Sequence, residues 1–310
     1  MYRSLLVPLD GSAFGEHALP FALSIARRAG ATLNIVRVHS PYDPICFDKK
    51  SLVSGVLDAE AKSHMQLYLD RIVKRLATVS SASVASTILD GPYVAEAIIG
   101  HAAATGIDLI VMTTHGLGPL SRFWLGSVAD ELVQRAAVPI ILVRPHEAAV
   151  DFTCEPVVRN VLIPLDGSDL AEQVLEPALA LGELMQADYE LLRVCEPLRE
   201  TGLDPSGNAA AGETERFIEP LRAEAQDYLN RVAERLKAQG MNVHTHIAVG
   251  QHAASVILDT AQELAVNLIA LETHGRGGLS RLAVGSVADK VLRGASIPPI
   301  PVLVHRSSGK

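Results

Sequence analysis

One stretch occurs twice in this chain, and that repeat limits the folds the chain can adopt more than any other feature. Residues Arg3–Ser12 match Arg159–Ser168, and Thr114–Asp130 match Thr273–Asp289. The offsets are 159 − 3 = 156 and 273 − 114 = 159 residues, so the second copy contains a small net insertion. A period of roughly 155 residues is too long for a solenoid and has the size of a globular domain. The repeat therefore predicts two homologous domains.

Length and composition agree with this division. The chain has 310 residues, of which 48% are hydrophobic and 20% charged, as in ordinary globular proteins with real cores. We predict that the domains span residues 1–146 and 157–306, with a linker at residues 147–156.

Charge and targeting signals exclude several classes of function. The net charge of −8 and the absence of a long Lys/Arg run argue against nucleic-acid binding. No apolar run is long enough to span a bilayer, so we expect no membrane association. The three scattered cysteines fit a reducing compartment, and the N-terminus shows no signal peptide. We therefore expect a cytoplasmic protein.

Strand-like and helical patterns alternate through both copies. Alternation of this kind is typical of a parallel sheet with helices on both faces. We predict an α/β fold with two tandem doubly wound five-stranded parallel sheets, each in the strand order 3-2-1-4-5. The predicted strands are near residues 5–9, 32–38, 83–89, 107–112 and 138–143, and near 160–165, 189–194, 242–248, 267–271 and 297–303.

A glycine-rich loop joins the fourth strand of each copy to a short helix. Gly126-Ser127 and Gly285-Ser286 lie where these helices are predicted to begin. Serine is a favourable N-cap, and the first N–H groups of a helix have no helical partner, so such a loop can bind an anion. The alternative is a plain strand-to-helix turn whose glycines allow tight packing. The two copies keep the same glycine spacing, which favours phosphate binding.

An aspartate ends the first strand of each copy. In a doubly wound sheet the ligand crevice lies at the carboxyl ends of the strands where the winding reverses, here between strands 1 and 4. Asp10 and Asp166 should therefore face the same crevice as the glycine loops. An aspartate there can accept hydrogen bonds from a base or a sugar. Alternatively, it closes its own Asp-Gly-Ser turn.

The sequence resembles a tandem member of the universal stress protein family. The resemblance depends on the strand Pro8-Leu9-Asp10-Gly11-Ser12, on the loop from Thr114 to Asp130, and on their second copies. It covers nearly the whole chain and implies ATP binding, or ADP or AMP binding, with Mg²⁺ as an optional companion of ATP. The family pattern is a glycine, two residues, a glycine, nine residues and Gly-Ser/Thr.

Carried over position by position, the resemblance implies two binding sites. The strand-1 end and the backbone after strand 2 would meet the base and ribose, and the loop and helix start would hold phosphates. The residues implied are Pro8, Leu9, Asp10, Ser40, Met112, Thr113, His115, Gly116, Gly126, Ser127 and Val128 in copy one, and Pro164, Leu165, Asp166, Glu196, His274, Gly275, Arg276, Gly285, Ser286 and Val287 in copy two.

The first glycine of the pattern is replaced in both copies. Thr113 stands there in copy one, which is tolerable, but Glu272 in copy two would repel a phosphate. Two like charges about 4 Å apart repel by about 4 kcal/mol at an effective dielectric of 20. Arg276 either neutralises Glu272 or binds phosphate itself. We expect unequal sites, with ATP held better by copy one, although Pro119 removes one N–H from its loop.

The last strand of copy two contains Pro299 and Pro301, which lack N–H donors. Proline is confined to edge strands, so this strand should lie at a sheet edge. In the family this edge often pairs with another domain. We expect an internal pseudo-dimer and leave homodimer formation open.

Two classes of function remain. The chain is either an adenine-nucleotide-binding sensor or regulator of stress responses, or an interaction module with degenerate pockets and an unknown protein partner. An enzyme acting on another small molecule is a more distant third. There is no P-loop lysine and no nucleophile elbow, so we predict no catalytic residue, no metal site and at most slow ATP hydrolysis.

Overall fold

The structure consists of alternating strands and helices. The computed structural model describes residues 2–40, 54–115, 125–196, 211–273, 284–295 and 299–306. Contacts divide the chain into two units, of which the first contains residues up to Val157 together with those from Pro301, and the second is Val158–Ile300.

The first unit is built on a mostly parallel sheet. Its described strands are β1 (Ser4–Pro8), β2 (Thr32–His39), β3 (Val84–Asp90), β4 (Leu109–Thr113), β5 (Ile140–Val143) and β10 (Val302–His305). Their order is β3-β2-β1-β4-β5-β10, and β1 to β5 run parallel. The predicted α/β class and the strand order 3-2-1-4-5 are confirmed in this unit.

Helices cover both faces of this sheet. They are α1 (Ala18–Ala29), α2 (Ser54–Val79), α3 (Val94–Thr105) and α4 (Ser127–Arg135). A 3₁₀ segment, Gly15–His17, precedes α1, and α1 ends at Gly30, whose φ is +64°. Helix α2 is bonded to the 3₁₀ segment, and α3 contacts α4.

Strand β10 differs from the predicted span of residues 297–303. It begins at Val302 and runs antiparallel to β5, with Val302 opposite Leu142 and Val304 opposite Ile140. Pro301 has no N–H to contribute to a ladder, which explains why the strand begins one residue after it.

The second unit repeats the first four strands and the helices of this arrangement, and the strand predicted as its fifth, β10, is grouped with the first unit. Its described strands are β6 (Asn160–Pro164), β7 (Asp188–Cys195), β8 (Val243–Val249) and β9 (Leu268–Glu272), and its helices are α5 (Leu175–Met185), α6 (Ala211–Lys237), α7 (Ala253–Glu263) and α8 (Ser286–Gly294). The strands are parallel in the order β9-β6-β7-β8, which corresponds to β4-β1-β2-β3.

Strands β4 and β9 lie in the hydrophobic cores of the first and second units. Every residue of both strands is buried, as predicted for central parallel strands with helices on each face. Leu69 of α2 and Leu229 of α6 are completely buried against these sheets. None of the described helices has the length and apolar character needed to cross a bilayer.

The predicted linker, residues 147–156, packs against the first unit. Ser24 Oγ donates to the carbonyl oxygen of Pro156 at 2.9 Å, and Arg28 Nη2 lies 3.1 Å from Glu155 Oε1. This segment is therefore fixed along α1.

Candidate functional site

Each unit turns sharply after its first strand, around the predicted aspartate. Asp10 Oδ1 accepts hydrogen bonds from Ser12 N at 2.9 Å and Ser12 Oγ at 2.6 Å. Asp166 Oδ1 accepts the same pair from Ser168 at 2.9 and 2.6 Å. The intervening Gly11 has φ +89°, which favours glycine. Both aspartates thus close their own turns, and these bonds use one carboxylate oxygen, Oδ1.

The fourth strand and the following helix of each unit are joined by a short hydrogen bond. Gly126 N donates to Thr114 O at 2.7 Å, and Gly285 N donates to Thr273 O at 2.7 Å. A Cβ at Gly126 would lie 3.3 Å from Thr114 O, a tight contact that favours glycine at this position.

The glycine, and not the predicted serine, is the N-cap of each helix. Helix α4 begins at Ser127 and its first internal bond runs from Asp130 N to Gly126 O. The N–H groups of Ser127, Val128 and Ala129 therefore have no partner within the helix. Serine was the expected cap because its side chain often accepts from the first turn, but here the cap makes no side-chain hydrogen bond. The change of N-cap leaves the N–H groups that were predicted to bind an anion at the start of the helix.

A cavity of about 800 Å³ opens at the carboxyl ends of the second unit's strands. This volume lies near the upper end of the range of about 300–1,000 Å³ typical of ligand sites. The cavity brings together three separate segments that the sequence singled out. The predicted residues that line it are Pro164, Leu165, Asp166, Glu196, Gly285, Ser286 and Val287.

In the first unit, the corresponding residues lie at the ends of neighbouring strands. Pro8 and Leu9 lead to Asp10 from β1, while Met112 and Thr113 are buried at the end of β4. Ser40 follows β2 and is also buried, and its Oγ donates to Pro92 O at 3.1 Å. The Ser40 hydroxyl is thus engaged with the backbone before α3. Gly126, Ser127 and Val128 lie at the start of α4.

Four predicted residues, Gly116, His274, Gly275 and Arg276, lie outside the described residues. Their placement in the sites stays a prediction.

Glu272 is the last residue of β9, is 7% exposed and lines the cavity. Its Oε1 accepts from Thr273 N at 3.1 Å and from Thr273 Oγ1 at 3.3 Å. Thr113 occupies the same position at the end of β4, where it brings no charge. The second crevice therefore has a carboxylate in its wall where the first has a hydroxyl.

His115 is held by its neighbour. Its Nδ1 lies 3.0 Å from Thr114 Oγ1, within hydrogen-bond distance. Burial, and then the positive charge of Arg144, lower the pKa of His115. The imidazole is therefore neutral at pH 7 and adds no positive charge for a phosphate.

Both units contain a hydrogen-bonded chain of three side chains that no sequence motif predicted. In the first, Tyr68 Oη donates to Glu16 Oε1 at 3.4 Å and Arg75 Nη1 donates to Glu16 Oε2 at 2.8 Å. Burial, and then the charge of Glu16, raise the pKa of Tyr68. The chain fixes α2 to the 3₁₀ segment that follows the Asp10 turn.

The second unit has the equivalent chain. Tyr228 Oη donates to Glu172 Oε1 at 3.0 Å, and Arg235 Nη2 donates to Glu172 Oε2 at 2.6 Å. Retention of the glutamate, tyrosine and arginine at matching places of the repeat was the available signal. Tyr228 also lines the cavity, so this chain forms part of the site's framework.

The residues that end the second strands differ in chemistry. His39 is buried between two carboxylates, with Nε2 3.1 Å from Asp58 Oδ1 and Nδ1 3.3 Å from Asp90 Oδ1. Cys195 takes this place in the second unit and lines the cavity. Burial raises the pKa of the Cys195 thiol. The two crevices therefore differ at the ends of their second strands as well as at Glu272.

Comparisons with known proteins agree with the repeat. The universal stress protein family matches residues 1–144 and again residues 158–306. A universal stress protein of Mycolicibacterium smegmatis is 24% identical over 301 residues, which cover 96% of this chain and 96% of that protein. One from Mycobacterium tuberculosis is 29% identical over 206 residues, covering 65% of this chain and 62% of that protein.

A solved structure shows the same fold along the whole chain. It is a universal stress protein from Archaeoglobus fulgidus, with a TM-score of 0.66 at 19% identity, covering 98% of this chain and 96% of that one. Since the family matches both halves of the sequence, the chain belongs to the universal stress protein family and contains two copies of its domain.

Proposed function

We propose that the chain binds adenine nucleotides in its strand-end crevices and acts as a sensor or regulator in stress responses. The observation that supports this most is the cavity of the second unit, because three separate segments marked by the sequence motif line one space. The first unit has the same aspartate turn and the same glycine-capped helix start.

Each end of a nucleotide finds suitable groups in such a crevice. The apolar strand ends, together with the aspartate and the backbone after the second strand, suit a base and ribose. The N–H groups of Ser127, Val128 and Ala129, at the positive end of the α4 dipole, suit phosphates. Mg²⁺ would accompany ATP by bridging phosphate oxygens.

The two crevices are unequal in this proposal, with the first as the stronger ATP site. Glu272 brings negative charge to the wall where phosphates would lie, whereas Thr113 does not. The same observation favours a second candidate function for the second unit alone, an interaction surface for a protein partner that no longer depends on nucleotide.

Calorimetric titration of ATP, ADP and AMP, with and without Mg²⁺, tests this proposal. The variants are Ser127→Glu and its matched counterpart Ser286→Glu, since both serines are exposed first residues of a helix. An acidic side chain in the first turn interacts favourably with the helix dipole, so the fold should tolerate it. The same negative charge should repel a phosphate. Ser127→Glu should weaken ATP binding by about 10–100-fold and Ser286→Glu much less. A wild type that binds none of the three nucleotides would reject the proposal.

A further inference from the structure

The cavity of the second unit has a negatively charged wall. Among the described residues, the charged side chains that line it are Asp166, Arg193, Glu196, Glu224, Arg231 and Glu272. Carboxylates therefore outnumber arginines by four to two in this part of the wall. A nucleotide would bring further negative charge into a crevice that already has an excess of it.

Three of the four carboxylates are found only in the second copy of the repeat. The first copy has Ser40, His64 and Thr113 at the places of Glu196, Glu224 and Glu272. The aspartate and the two arginines are kept, as Asp10, Arg37 and Arg71. Among the described wall residues, no gain of a positive charge accompanies the three acidic changes. The charge of the wall has therefore changed in one direction while the framework has been kept.

Glu272 lies at the helix-start end of the crevice. It ends β9, and the carbonyl oxygen of the next residue, Thr273, accepts the 2.7 Å hydrogen bond from Gly285 N, the N-cap of α8. The Glu272 side chain is 7% exposed and lines the cavity. The N–H groups at this helix start are the ones that would bind a phosphate. Glu272 thus supplies, from the protein itself, negative charge at the phosphate end of the crevice.

Uncharged donors orient these carboxylates without cancelling their charge. Glu272 Oε1 accepts from Thr273 N and Oγ1, and Glu196 Oε1 accepts from Ala253 N at 3.1 Å. Glu196 and Glu224 form no ion pair within the part of the chain that the structure describes. Arg193 Nη1 is itself engaged, since it donates to Leu165 O at 3.3 Å. This wall suits a ligand that donates hydrogen bonds or carries a positive charge.

The surface that would take a base and a ribose is retained. Leu165, Ile257 and Leu271 are buried apolar residues of the cavity wall, and Asp166 ends the first strand there as Asp10 does in the first unit. A nucleoside needs only this part of the crevice. Its 5′-hydroxyl can donate a hydrogen bond to a carboxylate, whereas an ionised phosphate can only accept.

We propose that the second crevice binds an adenine nucleoside that carries no phosphate, with Glu272 facing its 5′ substituent. This inference rests on the proposed function for its preference for adenine, and it assigns a different class of ligand to the second unit. A neutral 5′-hydroxyl donates to the carboxylate, and a cationic 5′ group binds more tightly because opposite charges attract. The first unit then responds to nucleotides and the second to nucleosides.

Three ligands that differ only in their 5′ substituent test this inference. Adenosine is neutral at that position, 5′-amino-5′-deoxyadenosine is cationic and AMP is anionic. Each is titrated into the full chain, and hydrogen exchange resolved by peptide reports binding to residues 1–157 and 158–300 separately. In the second unit the amine should bind most tightly and AMP most weakly, with affinities that differ by about tenfold or more.

Two variants remove charge from the wall of the second crevice. Glu272→Gln keeps the shape of the side chain and should reduce the preference for the amine over AMP by about tenfold or more. Glu224→Gln should reduce the same preference by a smaller factor, and it changes an exposed residue, so the fold should tolerate it. Glu263→Gln is the matched control. It removes an exposed carboxylate of the second unit that does not line the cavity, and it should keep the wild-type preference.

The inference is overturned if AMP binds the second unit as tightly as adenosine, or if none of the three ligands binds that unit at millimolar concentration. It is also overturned if Glu272→Gln and Glu224→Gln both keep the wild-type preference. Each of these results can occur while ATP protects the first unit, and the nucleotide proposal then stands without this inference. If neither ATP nor any of the three ligands protects either unit, both proposals fail.

Discussion

The first and second units share a framework but differ in what their crevices present to a ligand. Both have the Asp-Gly-Ser turn, the glycine-capped helix start and the Glu-Tyr-Arg chain. Around that framework, Met65 and Thr113 in the first unit are replaced by Ala225 and Glu272 in the second. Residues that shape the backbone are kept, and those that set charge and volume have changed.

This difference shows which part of a duplicated site is free to diverge. Glycine is favoured at position 126 by a tight backbone contact of 3.3 Å and at position 11 by a positive φ. No comparable backbone constraint acts on a wall position such as Thr113 or Glu272. Similar folds in the two units therefore do not imply equal ligands.

The largest expected effect is the loss of unfolding free energy after a core substitution, and it tests whether the two units are equally stable. Leu69→Ala and Leu229→Ala each remove a completely buried side chain, and each should cost its own unit about 2–5 kcal/mol of unfolding free energy. Hydrogen exchange, resolved by peptide along a urea series, measures the two units separately. Leu67→Ala is the control, since Leu67 is 63% exposed and should change stability by less than about 0.5 kcal/mol. A large loss in one unit and none in the other would show that the cores are not equivalent.

The next largest effect is expected when the residues that give the two crevices different charges are exchanged. Glu272→Thr removes the carboxylate that lines the second crevice, and Thr113→Glu puts one into the first. ATP affinity should rise about tenfold in the second unit and fall about tenfold or more in the first, because like charges at contact distance repel. Calorimetry of the single and double variants measures both changes. If Glu272→Thr leaves ATP binding unaltered, the carboxylate is not the cause of the difference.

A smaller effect concerns the pH dependence of the first unit's stability. Burial and Arg144 lower the pKa of His115 in the folded state, so the folded protein binds fewer protons there than the unfolded chain. The stabilisation is complete above the unfolded value of about 6.5 and declines as the pH falls from there towards the folded pKa. His115→Gln should flatten this decline, as followed by thermal unfolding between acidic and neutral pH. His252→Gln, an exposed change in the second unit, should keep the wild-type slope.

Local signals in the sequence were enough for most of the fold. The strand-like runs near residues 107–112 and 267–271 predicted β4 and β9, because only a short-range pattern is needed to recognise them. The antiparallel pairing of β10 with β5 was not predictable in this form, because it depends on a contact between distant segments and on where Pro301 interrupts the ladder.

The sites were predictable only in part for the same reason. Asp166 and Gly285 could be placed in one crevice from topology, since the ends of parallel strands meet at one edge. Arg231 and Tyr228 were missed because they lie on a helix more than 60 residues after Asp166, and nothing local marks them as wall residues.

The unequal use of the two crevices is tested most directly by labelling the full chain with an ATP analogue that carries an azide on its base. After illumination and proteolysis, mass spectrometry assigns the label to peptides of residues 1–157 or 158–300. At low analogue concentration, the label that excess ATP prevents should fall on the first unit, around Asp10 and Ser40. Equal ATP-sensitive labelling of both units, or preferential labelling of the second, would contradict the assignment of Glu272 as the residue that makes the second crevice the weaker ATP site.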